Sequence, residues 1–368
     1  MINRLIYSTT LLIATFCCNN IVHAGTIRHD RTDEQYTSLA NQFPSVGYLS
    51  TKFSSGEDLC SGTLIAPSYI LTAAHCIDFN NETLLNATFV VNDIPYTVTD
   101  ATAHQNWFSS NRDFGAGYDI AVLRLATPAT DIPSTRLFTG FDELHQVGTY
   151  VGFGATGNGI TGYLPNTKGT KRAGQNIVEL GSSLGLPDNL LLSDFDRPWT
   201  TNSTHPDTIP LDLEYAIAPG DSGGGLFING HIAGIHSFGW GLNDGLNNSS
   251  YNDVVGSTRI SSHINWIYGA IWAMETIQSD RSFNSIHFNT NSNDVSSDIT
   301  PIAPQENYFD KSYEVAVIKD WGFENYQYEL ERNHNNSRPK QVPEPSNTYV
   351  ILALGIFSLS YQFHKIFL

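Results

Sequence analysis

One serine stands in a sequence context that suits nucleophilic chemistry. Ser222 lies within Pro219–Phe227, which reads PGDSGGGLF, with Asp221 before it and three glycines after it. Glycines allow a tight turn that exposes the hydroxyl and leaves backbone N–H groups free to face a substrate. Serine alone is a weak nucleophile, so this chemistry also needs a histidine base and a carboxylate that orients it. The segment therefore predicts a nucleophile whose partners lie elsewhere in the chain.

The chain supplies both partners upstream. His75 lies in LTAAHC, and Asp119 begins DIAVLRL. A histidine accepts the proton of an attacking serine, and a carboxylate fixes the tautomer of that histidine. Each of the three residues also has a purely structural explanation, as a packed histidine, a strand-edge acid and a turn serine. Only their combination, in the order His, Asp, Ser, favours a catalytic constellation.

The motifs LTAAHC, DIAVLRL and GDSGG resemble those of the trypsin/chymotrypsin family of serine proteases, over residues 43–277. The resemblance implies an all-β fold of two six-stranded antiparallel β-barrels packed together, with a C-terminal helix. It implies that Ser222 attacks the scissile carbonyl of a protein or peptide substrate, that His75 moves the proton and that Asp119 holds the imidazole. The backbone N–H groups of Gly220 and Ser222 match the oxyanion hole of the family. Such an endopeptidase is expected to use no cofactor and no metal.

The same resemblance places a substrate pocket and predicts its specificity. The position six residues before the nucleophile is Ala216, where a protease that cleaves after Lys or Arg needs an acid. Val255 narrows the pocket, and Gly239 is expected to leave its entrance open. We therefore predict cleavage after apolar or neutral residues of medium size, whereas an alignment shifted by two residues would bring Glu214 to the base. The predicted pocket residues are Ala216, Ile217, Ser237, Phe238, Gly239 and Val255.

Four cysteines limit the disulfide chemistry. Cys17 and Cys18 fall in a segment that is expected to be removed, which leaves Cys60 and Cys76. These two are either buried thiols or a disulfide, because a zinc site lacks further ligands at a recognisable spacing. A disulfide is favoured because the chain has the features of an exported protein. The family resemblance implies the same bridge, between the histidine loop and a neighbouring strand.

Residues 1–24 have the pattern of a signal peptide. Arg4 precedes an apolar run that is short for a membrane span, and Ala24 is a small residue at the cleavage position. A lipoprotein signal at Cys17 or Cys18 is disfavoured because the preceding Phe16 is bulky. We expect an exported protein.

Residues 25–42 form a polar segment ahead of the predicted domain. In the family that the chain resembles, a cut frees a terminal amine that pairs with the acid matching Asp221. The matching position here falls near Arg31-Thr32, while removal of the signal peptide would make Gly25 the terminus. The sequence leaves both alternatives open.

Short apolar runs separated by turn residues support an antiparallel β domain over residues 43–277. Gly152–Gly157 matches the pattern GxGxxG, but further glycines stand where a helix would have to begin, so we predict a strand instead. The segment 231–239 (HIAGIHSFG) also predicts a strand. Isoleucines at helical spacing between Ile260 and Met274 predict a C-terminal helix that ends near Ile277.

The composition changes after the predicted domain. Residues 278–341 are rich in Ser, Asn and Asp and predict a low-complexity linker, in which 315–318 and 321–328 resemble strands. Residues 342–368 begin with VPEP and continue into an apolar run with a basic end, which resembles the PEP-CTERM sorting tail. That tail implies an exosortase-type processing enzyme as a partner, transient membrane association and a final place at the cell surface or outside the cell. The alternative is a plain C-terminal membrane anchor with a transmembrane helix.

The charge balance and the motifs exclude or disfavour other functions. A net charge of -17, from 19 Lys+Arg and 36 Asp+Glu, repels nucleic acid and anionic lipid headgroups. A catalytically silent adhesion or binding protein with a protease fold usually lacks a triad residue, and none is lost here. An esterase of the GxSxG type does not fit, because the segment reads Gly220-Asp221-Ser222-Gly223. We therefore predict a secreted or surface-sorted serine endopeptidase.

Overall fold

The computed structural model describes residues 25–78, 82, 84–198, 210–241 and 245–286. The predicted signal peptide 1–24, the linker from residue 287 onwards with its two strand-like stretches, and the predicted sorting tail 342–368 lie outside these residues. Within the described residues, no helix is both long and apolar enough to cross a lipid bilayer.

The first half of the chain forms a closed six-stranded barrel. Its elements, with one strand and one helix before the barrel, are β1 (Gly25–Ile27), α1 (Asp33–Ala40), β2 (Val46–Lys52), β3 (Glu57–Ala66), β4 (Tyr69–Thr72), β5 (Asn86–Val91), β6 (Ile94–Ala103), α2 (Gln105–Ser109) and β7 (Ala121–Leu125). The barrel closes in the order β2-β3-β4-β7-β6-β5. In β5, Ala87, Phe89 and Val91 are buried while the residues between them are not, which is the two-residue period of a strand with one face on a core.

The second half forms a seven-stranded sheet. The second half contains β8 (Val147–Gly152), β9 (Thr156–Asn158), β10 (Gly162–Tyr163), β11 (Arg172–Ile177), β12 (Glu179–Leu180), β13 (Leu190–Asp194), β14 (Tyr215–Ala216), β15 (Gly225–Ile228), β16 (His231–Trp240), β17 (Val254–Arg259) and α3 (Ile264–Ile286). Of these strands, β9, β10 and β14 lie outside the seven-stranded sheet. The strand order is β11-β8-β15-β16-β17-β13-β12, which makes a half-barrel. The predicted fold class is confirmed, with two barrel-like sheets and a C-terminal helix. Only the first sheet is a closed six-stranded barrel.

Residues 25–42, which the sequence set apart from the domain, form β1 and α1. β1 lies in a small sheet between β9 and β14 and runs parallel to β9. A capping box at Thr32 starts α1, which packs on β11 through the buried Tyr36 and Ala40. The segment is therefore part of the folded domain, and its apolar residues are spaced too sparsely for sequence patterns to show this.

The C-terminal helix α3 packs one face on the domain. Ile264, Ile267, Ala270 and Met274 are buried, as the helical spacing predicts. The helix continues to Ile286, so the first residues of the predicted linker are helical. No proline or glycine occurs between 278 and 286 to end it.

Candidate active site

The backbone brings His75 and Asp119 together at one end of the closed barrel. β4 and β7 are antiparallel neighbours, with Thr72 opposite Ala121. His75 follows β4 in one 3-10 turn, and Asp119 comes just before β7. His75 Nδ1 lies 2.7 Å from Asp119 Oδ2, and the backbone N–H of His75 donates to Asp119 Oδ1 over 2.9 Å. Because a carboxylate only accepts, Nδ1 carries the proton and Nε2 is left as the base.

Two strands of the second half also hold Asp119, which is fully buried. Ser237 Oγ, on β16, donates to Asp119 Oδ2 over 2.6 Å. Thr258 Oγ1, on β17, donates to the carbonyl of Asp119 over 2.9 Å. The buried carboxylate thus has the partners that an ionised group needs in a core, and the second sheet fixes its position in the first barrel.

The surroundings of His75 set its proton affinity. Burial by itself lowers the pKa of the imidazole, whereas the charge of Asp119 and the hydrogen bond to it raise that pKa, and the net pKa lies above the ordinary value of 6.5. Asp58 also raises the pKa of His75, and Lys168 lowers it. These two side chains pair with each other over 2.9 Å. A base of this strength can both take up and return a proton near neutral pH.

Ser222 lies in the loop between β14 and β15, where the two halves meet. Its carbonyl accepts a hydrogen bond from the Ser61 N–H over 2.7 Å. The next residue, Gly223, has a φ of 80°, and a Cβ there would stand 2.0 Å from Thr72 Oγ1. Only glycine fits such a close approach with this backbone conformation. The approach places Ser222 beside the end of β4, from which the chain turns to His75.

The peptide groups around Ser222 expose two N–H groups on one loop. The carbonyls of Pro219 and Asp221 each accept a backbone hydrogen bond of 2.8 Å. In a trans peptide the N–H points opposite to the carbonyl, so the N–H groups of Gly220 and Ser222 face the other way. Neither N–H donates a hydrogen bond to any of the described residues. Such a pair of unused donors is suited to bind an oxyanion.

A disulfide joins Cys60 on β3 to Cys76 in the histidine turn, with 6.2 Å between the two Cα atoms. The predicted bridge is confirmed. The sulfur atoms lie near His75, but because they are bonded to each other they are not thiolate ligands for a metal. The bridge ties the turn that carries the base to its neighbouring strand.

Three of the predicted pocket residues meet in one apolar cluster. Ala216, Ile217 and Val255 are buried and belong to the same group of packed side chains. The carbonyl of Ile217 accepts a hydrogen bond from Ser249 Oγ over 2.7 Å. These three positions therefore present apolar side chains and no charge.

The remaining predicted pocket residues differ from expectation. The side chain of Ser237 faces Asp119 rather than a pocket, because side chains alternate along a strand. Phe238 covers Gly256, where a Cβ would stand 2.3 Å from the ring. The space beside Gly239 is not open, since a Cβ there would stand 2.7 Å from Asn247 Oδ1. Asn247 lies in a loop without any periodic pattern, so its position beside Gly239 was not predictable.

Sequence reasoning also missed an aromatic wall beside the histidine. The ring of Phe114 meets the ring of His75 edge-on, with 5.4 Å between centroids, and also contacts Trp107 at 5.3 Å and Phe238 at 6.5 Å. Phe114 is 39% exposed in a short turn, so neither burial nor spacing marks it in the sequence.

Two barrel-like sheets that hold an Asp–His pair and a glycine-flanked serine at their junction define a serine-type endopeptidase. The model of the trypsin family, described as Trypsin, matches residues 34–267. The chain belongs to the trypsin family of serine proteases, and its substrates are proteins or peptides.

Relatives of this chain include proteins named as chymotrypsin-like elastase and trypsin. It is 32% identical over 249 residues to chymotrypsin-like elastase family member 1 of Bos taurus, covering 63% of this chain and 86% of the relative. It is 30% identical over 230 residues to brachyurin of Leptuca pugilator, covering 56% of this chain and 85% of the relative. Among solved structures, HL collagenase superposes with a TM-score of 0.46 at 18% identity, covering 67% of this chain and 96% of the other.

Proposed function

We propose that this protease cleaves peptide bonds through a triad of Ser222, His75 and Asp119. The observation that carries the proposal is the buried Asp119 carboxylate, bonded to His75 Nδ1 at 2.7 Å, beside the loop that presents Ser222. The two unused N–H groups of that loop, on Gly220 and Ser222, support the proposed oxyanion hole.

The mechanism follows from these positions. Ser222 Oγ attacks the scissile carbonyl carbon while His75 Nε2 takes its proton, and Asp119 stabilises the imidazolium that forms. The oxyanion binds to the N–H groups of Gly220 and Ser222, where each donor in related sites contributes about 3–4 kcal/mol to the transition state. The C–N bond then breaks as His75 returns the proton to the leaving amine. Water hydrolyses the acyl ester on Ser222 by the same steps in reverse.

The test is labelling of the mature protein by a fluorophosphonate. We expect Ser222→Ala to abolish labelling and peptide hydrolysis, and His75→Ala to reduce both severely. Ser182→Ala is a matched control, because Ser182 is an exposed serine in a turn between β12 and β13. Labelling of Ser222→Ala at the parent rate would refute the triad. A folded parent with no labelling and no hydrolysis would favour the silent binding protein instead.

We also propose that the residue before the scissile bond is apolar or neutral and of small to medium size. Ala216, Ile217 and Val255 are apolar and buried in one cluster, and the Asn247 amide occupies the space beside Gly239. An acid that binds Lys or Arg has to be ionised and to face the substrate. Glu214, which the alternative alignment would place at the base, is buried and bonded to the backbone. Its Oε2 accepts from the Leu211 N–H over 2.6 Å, and burial raises its pKa well above the ordinary value.

A peptide library with varied residues before the scissile bond tests this specificity. Ala, Val and Leu substrates should be cleaved faster than Arg or Lys substrates. Val255→Gly should widen the pocket and shift the preference towards Phe, and Glu214→Gln should leave the preference unchanged. Faster cleavage of Arg substrates that is lost in Glu214→Gln would overturn the specificity while keeping the enzyme.

We further propose that the protein is exported through its signal peptide and that an exosortase-type enzyme removes the tail 342–368 after a transient stay in the membrane. The sequence patterns of these segments support the proposal. Intact mass of the purified mature protein is the test. A product that still contains 349–368 would indicate a plain membrane anchor.

A further inference from the structure

The acid next to the nucleophile is a fully buried carboxylate that is held by three donors. Asp221 Oδ1 accepts from the Gly154 N–H over 2.8 Å. Its Oδ2 accepts from the Ala218 N–H over 2.9 Å and from the Tyr215 hydroxyl over 3.2 Å. Tyr215 is the only side chain among these donors, and it is itself fully buried.

No cation pairs with this carboxylate among the described residues. The positive charge of Arg172, whose guanidinium pairs with Asp33, lowers the pKa of Asp221. Burial raises the pKa of the Asp221 carboxyl to about 6, against the effect of its three donors. Burial also raises the pKa of Tyr215 well above its ordinary value, so its hydroxyl stays protonated and remains a donor.

The hydroxyl of Tyr215 fills a closed space. β1 pairs with β14, with Ile27 opposite Tyr215. A Cβ at Gly25 would stand 1.9 Å from the Tyr215 oxygen, so only glycine fits there. On the other side, a Cβ at Gly154 would stand 2.5 Å from the Asp221 carboxyl. The pair is thus enclosed and has little room to change its partners.

The position of Asp221 controls the proposed oxyanion hole. Its backbone lies between Gly220 and Ser222, and its own N–H donates to the Ala218 carbonyl over 2.9 Å. A side chain that is fixed at both oxygens therefore fixes the two peptide planes that present the N–H groups of Gly220 and Ser222.

We infer that the Tyr215 hydroxyl holds Asp221 and so keeps the oxyanion loop in its working geometry. Tyr215 is a positioning residue for the proposed reaction, on which this inference rests. Because β1, which precedes Arg31, lies in the sheet between β9 and β14, the chain needs no cut at Arg31-Thr32 to become active.

The surroundings of Arg31 agree with an uncut chain. Its guanidinium donates to Asp212 over 2.7 Å and to Asp30. The following residue, Thr32, caps α1, and the first helical residue, Asp33, pairs with the buried Arg172. A cut between Arg31 and Thr32 would place a free chain end at the cap of α1.

The experiment compares Tyr215→Phe with Tyr69→Phe in the mature full-length protein. Tyr69 is the matched control, because its buried hydroxyl also donates to a carboxylate, that of Glu275, away from the serine loop. We expect Tyr215→Phe to lower kcat by about 10- to 100-fold and to change KM by less than about threefold. The loss in kcat corresponds to the contribution of one hydrogen bond to a charged group. Tyr69→Phe should leave both constants near the parent values.

The pH dependence of kcat distinguishes a positioning role of Tyr215 from a general effect of the substitution on protein stability. The donated hydroxyl favours the ionised form of Asp221, so its removal should raise the pKa of Asp221 and move the acid limb of kcat to higher pH. The other ionisable groups that face the pair are Arg172, with its partner Asp33, and Tyr36, whose ring lies 6.4 Å from that of Tyr215. These groups are unchanged in the variant, and Tyr69→Phe should not move the limb.

Two glycine variants test the same contact if Tyr215→Phe folds poorly. Gly25→Ala should push the hydroxyl aside and lower kcat, with intact mass used to verify the N-terminus. Gly185→Ala is its control, because Gly185 has a similar φ of 73° but nothing within 4 Å of its Cβ position.

Arg31→Gln removes the basic residue before the Arg31-Thr32 bond. It should keep full activity if no cut is needed there.

The outcomes are distinguishable. A parent-level kcat and an unchanged pH profile in Tyr215→Phe would overturn the role of Tyr215. An inactive, uncut Arg31→Gln variant would overturn the inference that no cut is needed. Neither result would refute the proposed protease activity. Hydrolysis that persists in Ser222→Ala would instead refute the proposed function.

Discussion

Ser237 donates a hydrogen bond to Asp119 over 2.6 Å, although the two residues are 118 positions apart in the sequence. The bond reaches the same oxygen, Oδ2, that pairs with His75 Nδ1. Because Ser237 lies on the second sheet and Asp119 on the first barrel, this contact ties the orientation of the base to the packing of the two halves.

We therefore expect Ser237→Ala to weaken catalysis without unfolding the protein. The loss of a hydrogen bond to a buried carboxylate should lower kcat about 10-fold, with a small change in KM. Steady-state kinetics on one peptide substrate measures the effect. Ser193→Ala is the control, since Ser193 is a buried serine on β13 that bonds to the Ile177 carbonyl and does not touch Asp119. An equal loss of kcat in both variants would contradict the specific role of Ser237.

The ion pair of Lys168 and Asp58 predicts opposite pH shifts. The negative charge of Asp58 raises the pKa of His75, and the positive charge of Lys168 lowers it. His75 has to be neutral to act as a base, so Asp58→Asn should move the acid limb of kcat/KM to lower pH, and Lys168→Gln should move it to higher pH. Both groups are partly exposed, so the shifts should be a few tenths of a pH unit and should shrink in high salt. Shifts in the same direction for both variants would contradict this electrostatic origin.

Local sequence patterns predicted the residues of the candidate site well, and they predicted the residues around that site less well. His75, Asp119 and Ser222 are marked by their flanking residues, and β16 follows from an apolar run at 231–239, because such signals lie within a few positions. The absence of a helix at Gly152–Gly157 was also predictable, since the glycines that follow exclude one. The prediction of a strand there was wrong in part, because β8 ends at Gly152 and β9 begins only at Thr156.

Contacts that depend on register between distant strands were not predictable. The bond of Tyr215 to Asp221 requires β14 to turn the ring towards the serine loop, and Asn247 reaches Gly239 from a loop without a pattern. The place of Gly25 in a sheet between β9 and β14 depends on long-range pairing alone. A one-residue change in the register of β14 would turn the Tyr215 side chain to the other face.

The disulfide between Cys60 and Cys76 should stabilise the fold. Its loop spans 16 positions, so removal by the double variant Cys60→Ala/Cys76→Ala should lower the free energy of unfolding by about 3 kcal/mol in the loop-entropy model. Urea unfolding at neutral pH measures the loss. Because Cys76 adjoins His75, we also expect a lower kcat at temperatures where the variant is still folded. An unchanged unfolding midpoint would contradict the predicted stabilisation.

His236 should make the protein sensitive to acid. Its imidazole is fully buried, stacks on Tyr150 at 5.3 Å and bonds to Ser257 Oγ at 3.3 Å through Nδ1. Burial lowers the pKa of His236 to about 3. The unfolded chain binds a proton at an ordinary pKa of about 6.5, so between that pH and about 3 the unfolded state carries more protons than the folded one. The free energy of unfolding should therefore fall as the pH falls, by up to about 1.4 kcal/mol per pH unit from this residue.

His236→Gln should reduce this slope, because glutamine takes up no proton. Urea unfolding of the parent and the variant between pH 7 and pH 4 is the measurement. His104, whose pKa burial lowers to about 4, adds to the slope in both proteins, so we expect a smaller slope rather than none. His231→Gln is the control, because His231 is a partly exposed histidine at the start of the same strand. If His236→Gln and the parent lose stability in parallel as the pH falls, the acid sensitivity has another source and His236 is not the group that takes up the proton.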